Sequence, residues 1–516
     1  MNNTRTSPDS VAVATSSALA ADAARDVIRA GGNAVDAAIA AVLVTMNTEP
    51  GVCALAGGAF VTIWPSASTP VTIDGYVAVP GLDATQSTAT GFEEIRLAYG
   101  GGVTTTIGAA SVAVPGALAA LDAAREHYAA LPLADLMAPS IAACRDGFPL
   151  SRACHTYLTH SSRSVFGHSD NSRDALHPDG GPLIDVGAPV HIAHLADSLQ
   201  QIAEEGADSF YRGALAKTIA RHVQARGGRL SLADLDQFEA SVRPALCVPV
   251  GDWKLALNPP PAVGGSMLGA IITGLHQGHS VQDMLRATWQ YRRGVLDFSD
   301  QLSADCQQLL QMAHAATLPG MRQSASTVHT SAVDSDGLAC AITASAGYGS
   351  GEVAEGTGLW LNNCLGELEL NRRGLAAGPP GSRLPSNMAP SAARSATSTL
   401  AIGSPGADRI TSAMASVLAR ILLHDEPLQQ AIDAPRLHID VGYDAKDSRF
   451  VETLCTEPGV QIDAHDMQVR AFDAKGMYFG GVGATLLQDD RLFAAADPRR
   501  AGATVVMHGD EPQAVR

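Results

Sequence analysis

A change of periodicity at residue 327 constrains this chain more than any other feature. Residues 278–326 are rich in Gln, Ser and Ala, weakly patterned, and end in MRQSAS. Directly afterwards TVHTSAVD alternates at period two, DSDG turns the chain, and LACAITAS alternates back. The pattern predicts a β-hairpin that opens on Thr327, preceded by a helical arm (about 278–326) ending in a mobile segment. Further strand signals fall at AFVTIW, VTIDG and STLAIGSP, each bounded by Gly, Pro or Asp. Gly481 and Gly483, in FGGVGAT, read as turn residues.

Helical patterns flank these strands. Ser16 or Ser17 is placed to cap ALAADAARDVIRA, which Gly31 and Gly32 stop. Asn33 caps the apolar AVDAAIAAVLVTM, with Asp36 in its first turn, where the helix dipole favours an acid. PGALAALDAAREHYAA, the short SLADLDQF, the stretch opened by NPPPAVGG and ITSAMASVLARILL are the other helix signals. A length of 516 residues suits about three average domains or one large layered body. Hydrophobic residues make up 46% of the chain, enough for a sizeable core.

Charge and cysteine use narrow the function. Lys+Arg total 35 against 52 Asp+Glu, a net charge of −17, and only four lysines occur. Such a surface repels nucleic acid and anionic membranes. The eight cysteines are scattered without a C-x-x-C pair, which reads as reduced thiols in a cytoplasmic protein. The polar start MNNTRTSPDS has no secretory pattern, and Asp36 interrupts the best apolar run. Phosphate-loop, G-x-S-x-G, H-E-x-x-H and Ser-x-x-Lys motifs are all missing. GYGSG at 347–351 lacks the third glycine of a dinucleotide fingerprint, and His155 and His160 have no common metal-ligand spacing. No cofactor or metal is expected.

Several segments taken together resemble the γ-glutamyltransferase family of N-terminal-nucleophile (Ntn) hydrolases. They are SSALAADAARDVIRAGGNAVDAAIAAVLVTMNTEP, the Gly57-Gly58-Ala59-Phe60 run, VAVPGALAALDAAREHYAALPLADLMAPSIAACRDGFPLS, PPPAVGG, STVHTSAVDSDGLA, GTGLWLNN, GSPGADRI, DAPRLH and AADPR, in that order. The resemblance implies an α+β fold, a four-layer αββα sandwich made as a precursor and cut by its own threonine. By position that residue is Thr327. Residues 1–326 would form the large subunit and 327–516 the small one, a heterodimer after self-cleavage, with a dimer of these as a further expectation.

Elementary chemistry agrees with that placement. A threonine hydroxyl needs a base beside it. A terminal α-amine, which ordinarily titrates at about 7.7–8.0, is suited to take the proton at neutral pH, so no catalytic histidine is required. By the same resemblance the N–H groups of Gly406 and Ala407 form the oxyanion hole, where the family normally has two glycines. Ala407 keeps its N–H, and only a requirement for positive φ would count against it. Ser345, 18 residues after Thr327, matches a hydroxyl residue that bonds the nucleophile.

The recognition half departs from the family pattern. Tyr76 stands where a carboxylate-binding arginine is expected after VTIDG, and it offers no bidentate cation. After Asn362-Asn363, the amine-binding Gln-x-x-Asp becomes Cys364 and Glu367, and a Ser-Ser pair becomes Ser386-Asn387. Asn363 joins these as a substrate-binding candidate. Val328 after the nucleophile is similar to the oxamate-amidohydrolase-like branch. The expectation is a threonine amidohydrolase acting on a small amide other than, or broader than, glutathione. The alternatives are a true γ-glutamyl hydrolase/transferase and an unprocessed, non-catalytic paralogue.

Overall fold

A computed structural model describes residues 8–83, 89–98, 102–315, 327–368, 371, 373–444, 449–461, 467–508 and 511–513. MRQSAS lies outside the described residues. In chain order the strands of the two main sheets are β1 (Ser10–Thr15), β2 (Gly58–Trp64), β3 (Val71–Gly75), β4 (Ser241–Pro244), β5 (Leu246–Val250), β6 (Trp253–Leu257) and β7 (Val328–Asp334). They continue with β8 (Ala339–Ser345), β9 (Ser391–Arg394), β10 (Ser398–Gly403), β11 (Gly483–Gln488), β12 (Arg491–Ala496), β13 (Ala503–His508) and β14 (Glu511–Gln513). One sheet runs β14-β13-β1-β7-β8-β2-β3-β4 and the other β12-β11-β10-β9-β6-β5. Every neighbouring pair in both is antiparallel.

The sheets face each other, with β7 packed on β10 and β11. The layer between them is built from small side chains, including Ala256, Ala339, Ala341, Ala392 and Ala401, so the backbones approach closely. Helices α1 (Ala18–Arg29) and α2 (Ala34–Thr48) cover the outer face of the first sheet; α3 (Val263–His276) and α4 (Arg409–His424) lie over the second. The result is the expected four-layer αββα sandwich. Among the described residues no helix is long and apolar enough to cross a membrane.

Local chemistry explains the parts that carry the site. Ser17 caps α1 through Ala20 N, and Asn33 caps α2 in a reciprocal box with Asp36. Asp36 is buried, and its carboxylate also accepts from Ala130 and Leu131 N–H, fixing a distant loop to the helix start. The hairpin at 327 forms as expected. Asp334 Oδ1 accepts from the N–H groups of Asp336 and Leu338, while Gly337 supplies the positive φ of 80°.

The 278–315 stretch is helical, as expected of the arm, and it is packed inward. Val281–Gly294 (α5) buries Trp289 and Arg292 completely, and Leu302–His314 (α6) packs on α3. One smaller expectation changes: Gly483 is no turn residue but begins β11 and pairs with Gly403.

Candidate active site

The register of the hairpin sets the first pair. Val328 lies opposite Ala344, which carries Thr327 to the position facing Ser345. Ser345 in turn pairs with Gly58 on β2. A Cβ on Gly57 would collide with the Ser345 carbonyl oxygen, and one on Gly58 would stand 2.7 Å from the Tyr76 ring. The two glycines of the Gly57-Gly58 run are therefore what lets β2 close on the hairpin end. Thr327 is 2% exposed, and its carbonyl oxygen accepts from Arg500 Nη1 at 3.3 Å.

The Ser404–Asp408 loop approaches from the second sheet. A Cβ on Gly403 would strike the His329 ring, so the end of β10 lies directly over the residue two places beyond Thr327. From there Ser404 Oγ accepts from Gly481 N at 3.1 Å, and Gly481 rests on the Arg500 side chain that holds Thr327. Gly406 has φ 125° and Ala407 φ 67°. The positive φ that would count against an alanine is present: Ala407 sits in the left-handed region, which costs a non-glycine residue about 1–2 kcal/mol. Among the described residues neither N–H donates a hydrogen bond. Two adjacent unclaimed donors on a loop that reaches the hairpin end form an arrangement able to stabilise an oxyanion.

Tyr76, Cys364, Glu367 and Ser386 converge as one buried cluster. Burial, then the neighbouring Cys364 and Glu367, push the Tyr76 phenol well above its usual range, with Ser386 acting the other way. Burial and Glu367 likewise drive the Cys364 thiol up, so it stays S–H in contact with the Glu367 carboxyl. A Cβ on Gly347 would stand 3.0 Å from Glu367, so the cluster abuts the turn that follows Ser345.

Asn363 and Asn387 are placed differently from that cluster. The Asn363 amide is engaged on both sides: Oδ1 accepts from Tyr348 N at 2.7 Å, and Nδ2 donates to Thr105 Oγ1 and the Thr106 carbonyl. It braces the turn behind Ser345. Asn387 Oδ1 accepts from Arg292 Nη1 at 2.5 Å, and its Nδ2 donates to Asp408 Oδ1 at 2.9 Å. Arg292 is held by Asp297, which Arg293 shares. A buried chain thus runs from α5 through Asn387 to the residue following Ala407.

Sequence reasoning missed Arg292, Arg500 and Asp408. Arg500 adjoins the quoted AADPR segment, which was a findable signal; Arg292 lies in the weakly patterned stretch and carried none. Among the described residues no group of three or more His, Cys, Asp and Glu side chains is placed to hold a metal ion.

This fold and hairpin-end site define an Ntn-type hydrolase. The chain belongs to the gamma-glutamyltranspeptidase family, whose profile matches residues 20–297 and 280–507. It is 27% identical over 539 residues to the glutathione hydrolase proenzyme of Escherichia coli strain K12, covering 94% of this chain and 90% of that protein. To the acylase ACY 1 proenzyme of Pseudomonas sp. strain SE83 it is 27% identical over 467 residues, covering 83% and 82%. The fold is like that of the cephalosporin acylase from Bacillus halodurans, with a TM-score of 0.75 at 22% identity, covering 98% of this chain and 97% of that one. The protein is accordingly an amidohydrolase/acyltransferase of this family.

Proposed function

We propose that Thr327 is the nucleophile and that the chain becomes active by cutting its own Ser326–Thr327 bond, giving subunits of 326 and 190 residues. The reading is carried by the end of the hairpin, where Thr327 faces Ser345 and has its carbonyl held by Arg500. Thr327 Oγ attacks the carbonyl carbon of an amide substrate, and its proton passes to the freed α-amine. The N–H groups of Gly406 and Ala407 take the developing oxyanion. Collapse breaks the C–N bond, the leaving amine departs with the proton, and water hydrolyses the acyl ester on Thr327. Ser345 orients the hydroxyl.

The substrate is a small amide whose acyl part rests against Tyr76, Cys364, Glu367 and Ser386. That wall offers hydroxyl, thiol and carboxyl groups, and its Tyr76 lacks an arginine's charge, so it favours acyl groups other than γ-glutamyl. Asn363 and Asn387 act as braces. Eight unpaired cysteines favour a reducing, cytoplasmic setting, and the net charge of −17 disfavours nucleic acid and anionic membranes as partners.

A denaturing gel with N-terminal sequencing of the smaller fragment tests the mechanism. Two fragments are expected, the smaller beginning Thr-Val-His, and one intact band from Thr327→Ala. Active protein that is a single chain overturns it. Substrate choice is tested with a panel of γ-glutamyl, glutaryl, acetyl and phenylacetyl p-nitroanilides; turnover confined to the γ-glutamyl compound would defeat the reading of Tyr76.

A further inference from the structure

Arg500 reaches Thr327 from a turn of unusual construction. Asp497, Arg499, Arg436 and Glu457 are all buried and paired: Asp497 bonds Arg436 at 2.6 Å and Arg499 at 3.2 Å, and Arg499 also bonds Glu457. Asp497 further accepts from the N–H groups of Val482 and Arg499. Arg436 Nη1 donates to the Phe479 carbonyl. These contacts fix the short Pro498–Arg500 helix against the Phe479–Val482 segment, and Arg500 is the side chain it presents towards Thr327. Room for it depends on Gly481, where a Cβ would lie 2.7 Å from Arg500 Cδ.

The guanidinium donates to the Thr327 carbonyl at 3.3 Å, which places its charge within about 7 Å of the Thr327 nitrogen, three backbone bonds and one hydrogen bond away. We infer that Arg500 is a positioning residue that acts electrostatically: it pins the nucleophile's backbone and, once the chain is cut, keeps the new α-amine deprotonated at neutral pH. The inference rests on Thr327 being the nucleophile, as proposed above. A fixed cation at this range disfavours the ammonium form and lowers the amine's pKa by about one unit.

The other titratable groups facing this corner leave that effect standing. On β7 itself, burial holds His329 at about 3, so it is neutral. Glu49, at the end of α2, faces Arg500; burial raises its carboxyl to about 7, so below that pH, where the acid limb falls, it is mostly neutral and leaves the guanidinium uncancelled, and above it the carboxylate offsets part of that charge. The thiols of Cys53 and Cys154 are raised by burial and stay uncharged. Arg500 is thus a full charge bonded to the Thr327 backbone.

Two variants separate charge from shape. Arg500→Gln retains an N–H donor for the Thr327 carbonyl and loses the cation; Arg500→Lys retains the cation and loses the planar fork. The amine's pKa is read on the mature protein from the pH dependence of Thr327 reductive methylation by formaldehyde and cyanoborohydride, followed by mass spectrometry. The acid limb of kcat on the fastest p-nitroanilide of the panel gives a second reading. In Arg500→Gln both move up by about one pH unit, and the variant still cuts itself, because the amine does not exist before the cut. In Arg500→Lys both stay within a few tenths of wild type while kcat falls. An unmoved acid limb in Arg500→Gln overturns the inference, as does a Gln variant that stays uncut. If wild type itself is an intact active chain, the proposal for Thr327 fails instead, so the two failures are distinguishable.

Discussion

Ala407 is a place where the Ser404–Asp408 loop holds strain that a substitution can release or worsen. Its φ of 67° lies in the left-handed region, and the residue is 1% exposed. That conformation costs an L-residue about 1–2 kcal/mol, whereas glycine adopts it freely. Glycine loses more backbone freedom on folding, worth about 0.5–1 kcal/mol in the other direction. Ala407→Gly is therefore expected to stabilise the protein by about 0.5–1 kcal/mol and to raise the thermal midpoint by about 1 °C, since a chain of this size responds weakly. It retains the N–H, so kcat stays within about two-fold. Ala407→Val is the counterpart. A β-branched residue is not accommodated at this φ, the backbone must rotate, and the N–H leaves its direction. Loss of one oxyanion donor costs on the order of 3 kcal/mol, a kcat lower by about 10²–10³ with KM little changed. Differential scanning calorimetry and steady-state kinetics on the mature protein measure both effects. Full kcat in Ala407→Val would show that this N–H does not face the reacting carbonyl. A glycine variant destabilised by more than about 1 kcal/mol would refute the strain argument.

Two further outcomes follow from buried groups near the site. His329 stays neutral when folded down to about pH 3, while the unfolded residue takes a proton near 6.5. Its contribution is therefore fully present above pH 6.5 and declines by about 1.4 kcal/mol per unit below it, to about 2 kcal/mol lost at pH 5; urea midpoints of wild type and His329→Gln across pH 5–7 should converge towards the acid side, and parallel curves would contradict this. Arg292→Met frees the Asn387 amide that it orients towards Asp408, so kcat is expected to fall at least about ten-fold with a small change in KM, while removal of a buried charge partner costs about 3–5 kcal/mol of stability. An Arg292→Met protein that unfolds earlier but turns over normally would show that the chain of contacts ends at Asn387.

The parts of this molecule that are legible in the sequence are those whose chemistry is local. The alternation on either side of DSDG reads as a hairpin, although both of its faces are buried in the sandwich, and Asp334 and Gly337 supply the turn within five residues of each other. Asn33 and Asp36 announce a helix start because the capping box is a three-residue device. The hairpin register is of the same kind: Val328 pairs with Ala344, and one step further on the same register sets Thr327 opposite Ser345. Contacts between elements distant in sequence leave no such trace. The strands β5, β6 and β9 are short and border Pro- and Ala-rich segments, so no period shows before they pair.

The same distinction explains why the recognition half of the site reads in sequence as a set of substitutions rather than as an arrangement. Asn363 and Asn387 are neighbours in motif terms of the proposed acyl-binding residues, yet each amide is claimed in part by a segment far along the chain, Asn363 by Thr105 and Thr106 and Asn387 by Arg292, while Tyr348 and Asp408 take their remaining bonds. Nothing in a single sequence reveals that Arg292, in a stretch with weak patterning, is fully buried and aimed at Asn387. Once it is, both ends of the Asn387 amide are engaged, and its value lies in fixing Asp408 beside the strained Ala407. Tyr76, Cys364 and Glu367 show the complementary case. Three substitutions that look like losses when taken singly lie together as one buried, electrostatically coupled cluster when folded. If that cluster is the acyl wall proposed above, single changes back towards the family pattern at Tyr76 or Cys364 are expected to disturb a buried neighbour rather than restore γ-glutamyl recognition, and turnover of the γ-glutamyl p-nitroanilide by such variants is the measurement that checks it.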